Sequence, residues 1–267
     1  MRLTGYNGAP WDAGQHALAM PLYTTDALVL RTHQLGEADR IVVFLTRDRG
    51  KKRGVASGAR RTRSRFMGGL EPLTVARLAY YERERRDLVR LSYVEAVRSP
   101  MRVRDSTALG YVEYFAELLD ECVPEADPSA TLFRLGAATV DALVAEIPVG
   151  RLARYFEYWI LRLQGIYPSL LVCQRCGKVS RRGGRFDPAS GGFSCLACSG
   201  DGGMLLSAEA VRFLWVAAGS PPASLSAFDL SLTADLQLER IHRQLITAHL
   251  EKELKASRVL RAMTREL

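Results

Sequence analysis

The chain has 267 residues, 48% hydrophobic and 25% charged, which are ordinary values for folded protein and exclude wholesale disorder. Its formal net charge of +8 is matched by one segment, Arg47 to Arg65, where nine lysines and arginines stand against the single acid Asp48. The remainder is close to neutral, so the basicity is local, and concentrated charge of one sign points to a surface that meets a polyanion.

Residues 1–21 carry Asn7-Gly8 and Ala9-Pro10 breakers without periodicity and read as a flexible arm. Met20, directly before the first strand, is an alternative natural start. β-Texture follows over residues 22–99. Asp26–Arg31, Asp39–Thr46, Gly50–Ala56, Pro72–Tyr81 and Asp87–Val97 are rich in branched apolar residues and bounded by polar turns, among them the YERERRD stretch from Tyr81 to Asp87. Five strands in about 75 residues with no long crossover helix predict a small closed barrel.

From residue 100 the period changes to that of a helix, which makes the chain α+β. Val112, Phe115, Leu119 and Cys122 mark a first helix, closed by the Val123–Pro128 segment. A second runs from Ser129 as N-cap to Ile147, and Leu152, Tyr155, Phe156, Trp159, Ile160 and Leu163 stripe a third, with Gly165 as its C-cap. Residues 170–202 interrupt this texture, and helical patterns resume from Ser207 and again from Thr233 to about Leu254. The expected organisation is a helical domain, 100–267, with a compact insert projecting from it.

That insert holds Cys173-Gln-Arg-Cys176 and Cys195-Leu-Ala-Cys198. Two Cys-x-x-Cys pairs bring four thiolates into a tetrahedral set, which predicts one structural Zn²⁺. Such usage belongs to a reducing compartment rather than to disulfides. A redox pair needs a thioredoxin-like context, and a catalytic zinc needs an open position; neither is present in the pattern. Phe186 and Phe193 are expected to pack beside the metal, and Cys122 to be a small buried apolar residue. Lys178, Arg181, Arg182 and Arg185 form either a second basic surface or a solvated loop.

Within the basic segment, Lys51, Lys52 and Arg53 lie on the third strand, while Arg60, Arg61, Arg63 and Arg65 follow in a connector with Thr62 and Ser64. These seven cations are the candidate nucleic-acid contacts, and Phe66, Tyr80, Tyr81 and Tyr93 are candidate stacking partners or core. No helix-turn-helix or C2H2 finger is visible, so binding is expected to be largely independent of base sequence. Glu37 and Asp39 read as turn-capping acids rather than a catalytic pair, and His33, His242 and His249 have no nucleophile motif beside them. The chain is expected not to be an enzyme. No apolar run approaches the roughly 20 residues of a membrane span, and no secretory signal pattern opens the chain, so a soluble cytoplasmic protein is expected.

The ordered motifs Ala27–Thr32, Leu35–Arg40, Leu45–Arg47, Gly50-Lys51, Val55–Arg61, Ser64–Phe66 and Leu70–Pro72 resemble the RecO family of bacterial recombination mediators. The segment His249–Arg258 resembles that family's closing helix, and the cysteine insert resembles its zinc-bearing members. The resemblance implies an N-terminal OB-fold barrel and a helical domain with a zinc module. It implies a nucleoid-associated, non-enzymatic mediator of DNA repair. Such a protein binds single- and double-stranded DNA, anneals strands coated by single-strand-binding protein, and helps load RecA together with RecR. By motif match, DNA contact falls to Lys51, Lys52, Arg53, Arg60, Arg61, Arg63 and Arg65. The competing expectation is an RNA-binding barrel and zinc-ribbon protein of translation or ribosome biogenesis.

Overall fold

The computed structural model describes residues 21–82, 88–103, 105–125, 127–167, 172–188, 190–200 and 202–265. The expected N-terminal arm up to residue 20, and residues 83–87 of the YERERRD turn, lie outside them.

Five strands form a closed barrel: β1 (Leu22–Leu35), β2 (Asp39–Thr46), β3 (Lys51–Ala56), β4 (Val75–Tyr81) and β5 (Leu88–Arg98), in the order β1-β2-β3-β5-β4. All neighbours are antiparallel except β3 and β5, whose register pairs Arg53 with Leu88. Strand β1 closes the ring because it is long enough to serve two partners. Its second half pairs with β2 through Leu35 and Asp39, and its first half pairs with β4 through Leu22 and Tyr81.

The alternation of β1 and β2 explains their unbroken apolar runs. Ala27, Val29, Val42 and Phe44 point into the barrel with Phe66, Leu78, Tyr80 and Leu91. Leu28, Leu30, Val43 and Leu45 point outward but are equally buried, because the helical body covers that face. Strands buried on both sides read as continuous hydrophobic sequence.

The helical body consists of α1 (Ser106–Cys122), α2 (Ala130–Val144), α3 (Val149–Leu163), α4 (Ala208–Gly219), α5 (Leu232–Leu250) and α6 (Lys255–Arg265). Asp105, Ser207 and Ser231 cap α1, α4 and α5 with their side chains. Ser129 precedes α2 as expected, but its hydroxyl makes no capping bond. At Gly136 of α2 a side chain would collide with Leu28, so glycine permits the close approach of helix and barrel.

The final helix, expected to run to about Leu254, ends at Leu250, and a further helix that the periodicity did not suggest follows it. Glu251 takes the left-handed conformation at φ 54° and ends α5. Helix α6 then starts with Glu117 of α1 accepting from the backbone N–H groups of Lys255 (3.1 Å) and Ala256 (2.7 Å). The segment resembling a closing helix, His249–Arg258, thus straddles this break.

Between α3 and α4 lies a small sheet in the order β7-β6-β8, formed by β6 (Gly184–Asp187), β7 (Gly192–Cys195) and β8 (Met204–Leu206). Phe186, Phe193 and Leu206 are fully buried and continuous with the helical core. No helix among the described residues is long and apolar enough to cross a membrane.

Candidate nucleic-acid interface and metal centre

The basic run of the sequence does not form one rim. β3 carries it from one end of the barrel to the other, a span of roughly 20 Å at about 3.3 Å per residue. Arg47 and Arg49 lie in the β2–β3 turn, with the Arg49 guanidinium 4.1 Å over the Tyr23 ring. Arg60, Arg61, Arg63 and Arg65 lie beyond β3, in the connector to β4.

On β3 itself the cations are engaged internally. Lys51 is only 8% exposed, and its Nζ donates to the Asp120 carbonyl at 2.8 Å, with Asp120 Oδ1 at 3.4 Å and Glu125 Oε1 at 3.3 Å. Lys52 pairs with Glu82 at 2.6 Å, and exposed Arg53 with Glu125 at 3.0 Å. Lys51 and Arg53 therefore tie the barrel to the end of α1 and the segment after it.

The connector is an arch with two anchors. At one end Asp39 Oδ1 accepts from the Gly58 N–H at 2.8 Å, and the Arg60 N–H donates to the Ala38 carbonyl at 2.9 Å. Asp39 is thus the turn-capping acid that its position suggested. At the other end Phe66 and Leu70 are buried in the barrel. Arg60 donates to the Glu37 carbonyl at 3.0 Å, which leaves its charge uncompensated. Arg61, Arg63 and Arg65 are exposed, and among the described residues none of the four has a carboxylate within ion-pair distance. Arg65 lies 4.9 Å over the Phe66 ring. The four cations face solvent from a loop fixed at both ends.

Of the candidate stacking aromatics, Tyr80 and Phe66 are core. Burial pushes the Tyr80 hydroxyl up to about 12. Tyr81 is half-buried, and Tyr93 is exposed with its hydroxyl donating to Glu95 at 2.8 Å. Tyr23, beneath Arg49, escaped the sequence reading; only its i+57 register with Tyr80 on β4 brings it to the barrel end.

The four cysteines converge as the spacing required: all four sulfurs lie within 4.8 Å of one another. Cys195 ends β7, the Cys195–Ser199 turn brings Cys198 back, and Gln174 is held to β7 by its N–H bond to the Phe193 carbonyl at 2.9 Å. Gly177, at φ 69°, closes the first turn after Cys176. Backbone N–H groups, first that of Cys195, hold the Cys173 thiol down to about 6. The neighbouring sulfurs of Cys195 and Cys176 push Cys198 up to about 12. Four thiolates so close together need a cation, and the donor set fits a metal ion with a closed coordination shell. Cys122 stands apart, buried on α1, with burial raising its thiol to about 12.

A buried polar cluster in the helical body also had no visible sequence signal. Glu157 on α3 accepts from Tyr114 Oη at 2.8 Å, faces Arg154 at 3.0 Å, and meets His242 Nδ1 at 3.0 Å. Tyr167 Oη closes the chain on His242 Nε2 at 2.9 Å. Burial opposes ionisation of Glu157, but Arg154 and then His242 outweigh it and hold the carboxyl below its ordinary range. Burial likewise pushes His242 below its usual value, against the pull of Glu157. Its hydrogen bonds join α1, α3 and α5, and it includes no serine, threonine or cysteine nucleophile. His33 and His249 are exposed and separate from it.

A closed five-stranded barrel of OB type is thus fused to a helical body that carries a four-cysteine cluster able to hold a metal ion, which defines the class of the protein by its architecture. Family models described as Recombination protein O N terminal and Recombination protein O C terminal match residues 20–100 and 103–258. The chain belongs to the RecO family. It is 34% identical over 237 residues to the DNA repair protein RecO of Koribacter versatilis (strain Ellin345), covering 87% of this chain and 96% of that protein. Over 235 residues it is 37% identical to the DNA repair protein RecO of Anaeromyxobacter sp. (strain K), covering 85% and 89%. Its identity to the Symbiobacterium thermophilum protein of the same name is 32% over 248 residues, covering 90% and 97%.

Proposed function

We propose that this chain is a non-enzymatic mediator of DNA repair and recombination, acting in the cytoplasm at the nucleoid. It binds single- and double-stranded DNA, anneals complementary strands coated by single-strand-binding protein, and assists RecR in loading RecA. Family membership supports the repair and recombination role. The observation that carries the DNA-binding reading is the anchored arch bearing Arg60, Arg61, Arg63 and Arg65 without acidic partners among the described residues. Arginines on such a surface displace condensed counterions from the phosphate backbone, and the surface in turn lowers the repulsion between two approaching strands. Cys173, Cys176, Cys195 and Cys198 would hold one Zn²⁺, whose closed shell supplies folding energy to the insert rather than Lewis-acid chemistry.

Of the seven cations matched by motif, the proposal gives DNA contact to the four arch arginines and a structural duty to Lys51. Single-strand affinity measured against salt tests this assignment. Each phosphate neutralised contributes a slope of about 0.7, so replacing all four arch arginines by alanine should flatten the log–log dependence by roughly 2.8. An unchanged slope would remove the arch from the interface.

A further inference from the structure

A groove of about 630 Å³ lies where the metal module meets α4, lined by Val179, Arg181, Arg182, Leu196 and Trp215 among others. Its walls are well placed to receive a ligand. Arg181 and Arg182 sit at the tip of a turn fixed on both sides. Before it, Val172 and Val179 pair; within it, Ser180 Oγ donates to the Gly183 carbonyl at 2.6 Å. After it, Gly183 at φ 93° passes so close to the Leu206 carbonyl that a Cβ would stand 2.6 Å away. The opposite wall is the second cysteine turn, Cys195 to Ala197.

Trp215 is 38% exposed, large for a tryptophan on a helix whose neighbours Phe213 and Leu214 are buried. The Arg181 guanidinium stands 5.4 Å from its ring. Arg182 and Lys178 are exposed as well, and none of these three cations has a carboxylate within ion-pair distance among the described residues. Arg154, Arg243 and Lys252 of the helical body, by contrast, face acids.

We propose that this groove is a second nucleic-acid site, which takes one or two nucleotides of a single strand. A base stacks against Trp215, and flanking phosphates meet Arg181 and Arg182. An aromatic platform beside unpaired guanidinium groups is the chemistry that holds single strands without regard to sequence. The module packs on α4 and α5, whereas the barrel packs on α1 and α2, so the two surfaces are carried by different helices. One molecule therefore holds strand segments at two places, which gives annealing a geometric basis. The inference rests on the DNA-binding function proposed above and assigns it a further contact.

The test uses the full chain with its metal bound and a thymidine oligonucleotide of about twenty nucleotides. Binding by fluorescence anisotropy reports on the protein as a whole, and tryptophan emission reports on the groove. With Trp11 replaced by Phe throughout, so that two of the chain's three tryptophans remain, the expected result is quenching on binding that disappears in Trp215→Phe, while Trp159, whose indole N–H donates to the Ala217 carbonyl at 3.0 Å, stays as unresponsive background. Arg181→Ala/Arg182→Ala should flatten the salt dependence by roughly 1.4, two phosphates' worth, with metal content unchanged. Binding without Trp215 quenching, together with an unchanged slope in the double variant, overturns the second site and leaves the arch standing. Absence of any oligonucleotide binding by the unmodified chain overturns both. Quenching by an acidic peptide but not by the oligonucleotide would reassign the groove to a protein partner and reject the proposal.

Discussion

Lys51→Met separates a cation that serves the fold from one that serves DNA. The ammonium group is 8% exposed and touches Asp120, at 13% exposure, through both its carbonyl and its carboxylate. Removing one partner of a buried pair costs about 3–5 kcal/mol. Two features reduce that here: Arg31 Nη2 remains 3.0 Å from Asp120 Oδ2, and Glu125 is 58% exposed and keeps Arg53. Methionine also fills the space of the lysine stem, so the net loss should be about 2 kcal/mol. For a chain of this size that corresponds to a fall in Tm of roughly 4–8 °C. Thermal unfolding gives the stability, and oligonucleotide titration at moderate salt gives the affinity. The expected outcome is a lower Tm with the salt slope unchanged. A variant with normal Tm and a slope flattened by about 0.7 would refute this reasoning and return Lys51 to the DNA interface.

Cys173→Ser should lose bound zinc and unfold the 172–206 insert, because metal binding is folding energy in such modules; full zinc content by atomic absorption would remove the site. Cys122→Ala, remote from the cluster, should retain the metal at full stoichiometry and cost only packing, about 1 kcal/mol for one buried sulfur; lost metal would make Cys122 a ligand. Acid should destabilise the helical body. His242 is held below its ordinary 6.5 and Glu157 below its ordinary 4.5, so the unfolded chain binds protons first in both cases. The stability they contribute is therefore complete above about pH 6.5 and is lost as the pH falls, first towards the folded value of His242 and then towards that of Glu157. His242→Gln should remove the upper part of that decline, and a Tm that rises on acidification would contradict the assignment.

What the sequence made legible was local. The strands declared themselves through branched residues and polar turns, the third helix through its stripe, and the metal site through two spaced pairs. The unread features depend on contacts distant in sequence. Lys51 looked like its basic neighbours because its partners, Asp120 and Glu125, lie on or just after α1, about seventy positions away. The break before α6 was hidden because Glu251, not a glycine, takes the left-handed turn, and the cap comes from Glu117 on another helix. The continuous charge run suggested one surface, yet a strand inside it carries its two halves to opposite ends of the barrel. The Glu157–His242 contact joins residues 85 positions apart, so no local pattern signals it.

The proposed function requires that this chain bring complementary strands together. The most direct measurement is the annealing rate of complementary strands pre-coated with single-strand-binding protein, followed by energy transfer between dyes on the two strands. The unmodified chain should accelerate annealing, with the effect fading as salt rises, and that acceleration should be lost when Arg60, Arg61, Arg63 and Arg65 are neutralised. Tight oligonucleotide binding with no acceleration, or acceleration that survives neutralisation of the arch, would contradict it.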